Sequence, residues 1–303
     1  MRTKMPNRLV AIVGATAAGK SELALDIAER IGAEIVSADA YQLYRGMDIG
    51  TAKLLPDERR GIPHHQIDVL DVTDEASVAV YQTKARRDIE AITDRGRPVV
   101  VVGGSGLYVR ALLDEIVFPP TDPALRADLS ARAAKEGPGI LHAELAELDP
   151  VAAATIDRRN TRRIVRALEA IQLTGRPFSA TMPQGKYHTP TIQIGVGWDR
   201  EVLFERIAAR VARMWTAGLV DEVRGLVSAG LTADSTAGRA VGYVEVLQML
   251  AGDLTAAETQ AAIVQNTRKL VRRQLQWFAK DPRVHWLDGS APDLGDQAMS
   301  VLR

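Results

Sequence analysis

The sequence predicts an α/β fold, a parallel sheet flanked by helices, with a wholly helical segment inserted between two of its strands. Three observations carry this. Short apolar runs of strand length recur at Leu9 to Val13, Glu34 to Ser37, Pro98 to Val102, Ile192 to Val196 and, more weakly, Val284 to Leu287, with helical stretches between most of them. Alternation of that kind covers both faces of a parallel sheet with helices. The string "GATAAGKS" joins the first run to a helical stretch. From Pro119 onward helical periodicity replaces the alternation, and no convincing strand signal returns until Ile192.

Taken in order, the first strand feeds a complete G-x-x-x-x-G-K-[ST] match, Gly14, Ala15, Thr16, Ala17, Ala18, Gly19, Lys20 and Ser21. The helix after it carries Leu23, Ile27 and Ile31 at helical spacing and stops at Gly32. A strand, loop and helix in this order aim backbone N–H groups and the positive helix end at one point, where a phosphate chain is held. Lys20 supplies a point charge there, and the Ser21 hydroxyl is placed to ligate Mg²⁺. The core is therefore expected to be P-loop NTPase-like. "PPTDPALRADLSARAAKEG" opens the insertion with a rigid turn, Asp122 as helix cap and Pro123 at the first helical position. These signals place the core at 1–118 and 191–303 and the helical insertion at 119–190. A final long helix begins at Thr255, which forms a capping box with Glu258, and runs through Phe278.

Composition narrows the function classes. With 303 residues, 46% of them hydrophobic, the chain can bury a large core. No apolar stretch approaches the roughly 18 residues of a membrane span, so no membrane partner is expected. The absence of cysteine excludes disulfides, zinc-thiolate sites and thiol catalysis, and points to a cytoplasmic location. The 38 basic and 38 acidic side chains cancel, so any polyanion must be held by a local patch.

ATPases with this loop normally end a later strand in an aspartate that helps hold Mg²⁺. Here "VVVV" ends in Gly103-Gly104-Ser105-Gly106. The second strand does lead to an acid, in "IVSADAYQLY", which sets Asp39 at the carboxyl edge of the sheet beside the phosphate loop. Asp39 there can hold metal, accept a proton from a nucleophile, or simply cap a turn. Arg158, Arg162 and Arg166 fall at i, i+4 and i+8, with Arg159 and Arg163 beside them, and read as five arginines of one helix suited to a phosphate backbone. Arg268, Lys269, Arg272 and Arg273 repeat the spacing on the last helix. His64 and His65 are adjacent, so they cannot both face one metal from a strand, and read as structural.

In order along the chain, "GATAAGKS", "SADAYQLYRGMDIGTAK", "IPHHQIDV", "VVGGSGLY", "RRIVRALE", "GRAVGYVE" and "TRKLVRRQLQWF" resemble the motifs of tRNA dimethylallyltransferases, also called tRNA isopentenyltransferases or the IPP transferase family. The resemblance extends over nearly the whole chain. It implies transfer of a dimethylallyl group from dimethylallyl diphosphate to N6 of the adenosine 3′ of the anticodon, with Mg²⁺, by a monomer acting on the tRNA anticodon stem-loop. It also implies Asp39 as general base, and Ser105 and Arg239 with Lys20 near the diphosphate. The implied tRNA contacts are Asp39, Ala40, Tyr41, Gln42, Arg126, Arg162, Arg163, Ile164, Val165 and Arg166. Ala15 stands where proline is common, Ala18 where serine is, Ser105 where threonine is and Val244 where a basic residue is. Ser105 keeps its hydroxyl, whereas Val244 lacks the charge. Two other readings share the loop or the arginines: an ATP-binding nucleoside or small-metabolite kinase with the insertion as lid, and a non-catalytic RNA-binding protein.

Overall fold

The structure is a computed structural model and describes residues 9–181 and 185–303. Along the chain lie β1 (Leu9–Gly14), α1 (Lys20–Ile31), β2 (Glu34–Ser37), β3 (His64–His65), α2 (Val78–Asp94), β4 (Val99–Gly103) and α3 (Gly106–Leu113). Four helices follow, α4 (Pro123–Glu136), α5 (Pro138–Leu148), α6 (Pro150–Thr155) and α7 (Thr161–Thr174). The chain then forms β5 (Thr191–Gly197), α8 (Arg200–Thr216), α9 (Leu219–Ser228), α10 (Tyr243–Ala251), α11 (Ala256–Phe278), β6 (Val284–Asp288) and α12 (Leu294–Val301). All strand pairs are parallel, in the order β3-β2-β4-β1-β5-β6.

Two compact units result, 1–113 with 187–303 and 114–186. In the first, the central strand β1 is buried on both faces. Its alternate side chains Val10 and Ile12 join the core under α1 and α12, while Leu9, Ala11 and Val13 join the core under α2 and α3. The parallel register brings the carboxyl ends of β1, β2 and β4 together, so Gly14, Ser37 and Gly103 all lead into loops on one edge of the sheet. The second unit packs Leu129 of α4, Leu141 and Leu145 of α5 and Ile164 and Leu168 of α7 into a core of its own. Asp122 caps α4 through Ala124 N–H and Leu125 N–H, as the sequence signals expect, a contact worth about 1 kcal/mol.

Strand β3 escapes sequence reading because it is two half-buried histidines paired to β2 rather than an apolar run. His64 Nδ1 meets the Ile62 carbonyl, and His65 Nε2 pairs with the buried carboxylate of Glu34 at 2.7 Å. Both therefore serve the sheet edge. Among the described residues no helix is long and apolar enough to cross a membrane.

Candidate active site

After β1 the chain must turn sharply to present amides toward one point. Gly14 (φ 138°), Ala17 (φ 63°) and Gly19 (φ 90°) supply the positive dihedrals, and Gly19 opens α1 in the left-handed region. The loop is braced from behind by residues that arrive late in the chain, Trp198 after β5 and Arg206 of α8. Arg206 Nε donates to the Ala17 carbonyl and Trp198 Nε1 to the Ala18 carbonyl, both at 2.9 Å, and the Arg206 guanidinium stacks 4.1 Å from the Trp198 ring. On the other side the Gln274 carboxamide accepts from Thr16 N–H at 2.9 Å and donates to the Gly104 carbonyl at 3.0 Å. It thereby ties β1's loop to β4's loop.

The glycines after β4 have a packing cause. A Cβ on Gly103 would overlap the Ala38 backbone, and one on Gly106 would overlap the Trp277 ring. The strand therefore ends without an acid because the neighbouring loop and α11 press against it.

A cleft of about 380 Å³ opens at this edge, lined by Thr16, Lys20, Asp39, Tyr41, Gly50, Thr51, Ser105, Arg210 and Arg273, with an apolar wall from Val241, Leu270 and Trp277. Lys20 Nζ folds back onto the Ala15 carbonyl at 2.6 Å. Although its side chain is partly accessible through the cleft, surrounding protein atoms strip water from the ammonium. That desolvation, reinforced by the Arg210 charge and opposed by Asp39, brings Lys20 down to about 8. Burial likewise pushes Arg210 below its ordinary value, with Asp39 pulling the other way and Arg213 adding repulsion. A further cavity of about 390 Å³ on the far side of Lys20 holds Ser21, Glu22, Arg206, Arg210 and Arg213. Cations outnumber carboxylates in both spaces, the electrostatics of a site made for a polyanion.

Asp39 follows β2 and is held by Tyr41 N–H, which donates to its Oδ1 at 2.9 Å. Ala40 N–H donates to Ser105 Oγ at 3.2 Å, joining the acid's loop to the glycine-rich loop. Gln42 is turned away into packing, where Nε2 donates to the Thr51 carbonyl and Oε1 accepts from Ser37 Oγ. Sequence reasoning thus locates Lys20, Asp39, Thr16, Tyr41 and Ser105 around one cleft. Arg239 is not brought in: its side chain is exposed, while the adjacent Ala240 and Val241 line the cleft. Arg210, Arg206, Gln274 and Trp277 join the site without belonging to any motif that marks them as site residues. The one local signal for them is the Arg206, Arg210, Arg213 spacing, which puts three cations on adjoining turns of α8.

The arginine stripe requires a correction. Asn160 caps α7 by accepting from Arg163 N–H at 3.2 Å, so the helix starts at Thr161 and Arg158 and Arg159 belong to the turn before it. Arg166 is also committed elsewhere. It donates to the carbonyls of Pro119 and Pro120 and to Glu169, whose fully buried carboxylate also takes two bonds from Arg126. Burial would raise the Glu169 carboxyl, but the bonds from Arg126, Asp122 N–H and Arg166 outweigh it and hold it below its ordinary value. Ile164 and Val165 are core side chains. Arg162 and Arg163 are left exposed on the helix surface. The set on α11 divides as well: Arg268 and Arg272 lie 4.9 and 5.7 Å from the Phe204 ring, while Arg273 faces the cleft.

This division predicts two different outcomes. Arg162→Ala should lower the slope of log RNA affinity against log salt by about 0.7 to 0.9 without changing thermal stability. Arg166→Ala should cost about 1 to 3 kcal/mol of stability by stranding polar groups. A salt titration together with a melting curve on each variant separates these effects, and equal salt slopes for Arg162→Ala and wild type would make Arg162 a mere surface charge.

Residues 42–281 match the model of a family described as IPP transferase. The chain belongs to the IPP transferase family. Among relatives, it is 55% identical over 299 residues to a tRNA dimethylallyltransferase of Thermobifida fusca, covering 97% of this chain and 94% of that one. It is 56% identical over 295 residues to a tRNA dimethylallyltransferase of Streptomyces avermitilis, covering 97% and 95%. The crystal structure of a tRNA isopentenylpyrophosphate transferase from Bacillus halodurans aligns with a TM-score of 0.71 at 38% identity, over 98% of this chain and 94% of that one. A eukaryotic dimethylallyltransferase acting on tRNA aligns with a TM-score of 0.85 at 25% identity, over 97% and 78%. The IPP transferase match extends into both compact units and takes in the whole helical unit, whereas the phosphate loop, Gly14 to Ser21, precedes its first residue.

Proposed function

We infer that the protein is a tRNA dimethylallyltransferase, a monomeric cytoplasmic enzyme that moves the dimethylallyl group of dimethylallyl diphosphate to N6 of the adenosine 3′ of the anticodon and releases diphosphate. The observation that carries this reading is the convergence of Lys20, Arg210 and Arg273 with the single carboxylate of Asp39 in a cleft that also has the apolar wall of Val241, Leu270 and Trp277. The cations suit a diphosphate and the wall suits a five-carbon chain. Asp39 suits a proton.

In this chemistry the bond between C1 of the prenyl group and the bridging oxygen breaks as the bond from N6 to C1 forms. Negative charge grows on the departing diphosphate, where Lys20, Arg210 and the loop amides stabilise it. The N6 proton passes to the Asp39 carboxylate, which lies within the same cleft. The target base has to leave the anticodon stack to reach this edge of the sheet. Ser21 would hold Mg²⁺: its hydroxyl lies beside Lys20 in the second cavity, and a site of one hydroxyl, phosphate oxygens and water fits that ion, whose contribution is to neutralise diphosphate charge. Among the described residues no cluster of three or more acidic or histidine side chains offers an alternative metal cage.

The test is product analysis. The purified protein with Mg²⁺, dimethylallyl diphosphate and tRNA bearing adenosine after the anticodon is expected to release one diphosphate per prenylated tRNA, seen by mass spectrometry of the nucleosides. Transfer of labelled γ-phosphate from ATP to a nucleoside, with tRNA left unprenylated, would instead make it a kinase.

A further inference from the structure

The turn from Asp48 to Thr51, which brings Gly50 and Thr51 to the cleft, closes locally through Thr51 Oγ1 to the Met47 carbonyl at 2.6 Å and Lys53 N–H to the Asp48 carbonyl at 3.0 Å, but its own amides at Asp48, Ile49 and Gly50 look elsewhere for acceptors. Those acceptors come from α9. The Glu222 carboxylate accepts from three successive backbone amides, Asp48 N–H at 3.1 Å, Ile49 N–H at 2.7 Å and Gly50 N–H at 3.3 Å, and from Tyr243 Oη at 2.6 Å. Such a row of amides is the kind of nest that elsewhere binds a free anion, filled here by a side chain. Tyr243 is fully buried beneath the turn, and a Cβ on Gly50 would overlap its ring, so the backbone lies directly against the aromatic plane. From the opposite side the buried Lys53 ammonium ties the Asp48 carboxylate to Asp68 and to the Tyr44 carbonyl.

The link from the turn to the cations runs through the Thr51 carbonyl. That carbonyl accepts from Gln42 Nε2 at 3.4 Å and from Arg210 Nη2 at 3.5 Å. Arg210 faces both cavities and stands beside Lys20, so any shift of the turn reaches the cations of the site. We propose that Glu222 is a positioning residue of the transfer site, fixing the Asp48–Thr51 turn so that the Thr51 carbonyl orients Arg210 toward the diphosphate. This rests on the diphosphate-binding reading given above and adds to it a residue outside the cleft.

Glu222→Gln keeps the size of the side chain but removes the anion, and its amide nitrogen cannot accept an N–H. Each carboxylate oxygen accepts two of the four donors, so whichever way the amide is turned two donors lose their partner. Steady-state kinetics of the full chain with dimethylallyl diphosphate and tRNA should show KM for the diphosphate substrate raised about 10-fold and kcat lowered, because a cation displaced by a fraction of an ångström loses much of its effect. The tRNA dissociation constant should stay within about twofold of wild type, since the substitution leaves the exposed Arg162 and Arg163 unchanged. Glu222→Asp, which retains an anionic acceptor, should recover part of the loss. A purely structural role would lower the folded fraction and scale the rate without moving KM, and that result overturns the proposal. If Glu222→Gln does not fold, Tyr243→Phe removes a single donor to the same carboxylate and is read by the same KM. Inorganic diphosphate binding by calorimetry gives a readout free of turnover. Absence of prenyl transfer in the wild type would refute the activity, whereas unchanged diphosphate affinity in Glu222→Gln would refute the role of Glu222.

Discussion

Asp39→Asn is expected to lower kcat by about 10² to 10⁴ while leaving tRNA binding largely intact. The substitution preserves the local geometry, because the asparagine carbonyl can still accept from Tyr41 N–H as Asp39 Oδ1 does. It removes the group that takes the proton from a weakly nucleophilic amine. It also removes the anion whose field supports the charge of Lys20 and Arg210. With that compensation gone the cleft becomes more positive, so the KM for dimethylallyl diphosphate should hold or fall. A slow enzyme with undiminished diphosphate binding is the signature of a missing base. Single-turnover rates measured beside equilibrium binding provide the check, and near-normal turnover would reduce Asp39 to a turn residue.

Lys20→Ala should lower kcat about 10²- to 10³-fold and weaken diphosphate binding as well, since the ammonium meets charge both before and during bond cleavage. The pH dependence gives a sharper test. In the protein alone, burial and the neighbouring Arg210 bring Lys20 down to about 8, with Asp39 opposing. A bound diphosphate favours the charged form, so affinity should be flat below about pH 8 and fall as pH rises above it, approaching one decade per pH unit. The folding linkage runs in the opposite direction with pH. A lysine depressed in the folded state binds fewer protons there than in the unfolded chain between the two values, so its cost to stability is full below about pH 8 and is relieved as pH rises toward its ordinary value. Lys20→Arg remains charged throughout and should abolish the alkaline limb. A limb that persists in that variant assigns the titration to another group.

Much of the scaffold could be read locally, because its signals are local. The phosphate loop, the Asp122 cap and the Thr255–Glu258 capping box each lie within a few residues of the element they start. The supports of the site do not. Gln274 reaches Thr16 across 258 positions and Arg206 reaches Ala17 across 189, so their roles exist only once the sheet has brought α8 and α11 to the loop. The arginine stripe misled for the opposite reason. Periodicity counted Arg158 and Arg159 into a helix that the Asn160 cap begins after them, and it could not register that the buried Glu169 holds Arg166. The missing acid after "VVVV" was visible, but its cause, the Ala38 backbone against Gly103, was not.

The strand order carries a consequence for how the chain is made. β1 lies at the centre, paired to β4 on one side and to β5 on the other, and the whole helical insertion is synthesised between those two partners. Gly103 closes β4 and Thr191 opens β5, so 88 positions (191 − 103) separate them. At roughly 5 to 20 residues per second of synthesis, about 4 to 18 s pass before the second edge of β1 can be covered. During that interval an apolar strand, Leu9 to Val13, offers unpaired backbone groups to any other nascent chain. The insertion, with a core of its own, can meanwhile fold as a separate unit. Production of this protein in cells should therefore be limited by co-translational self-association at β1, and slower, cooler expression or a chaperone that shields the nascent edge should raise the folded yield.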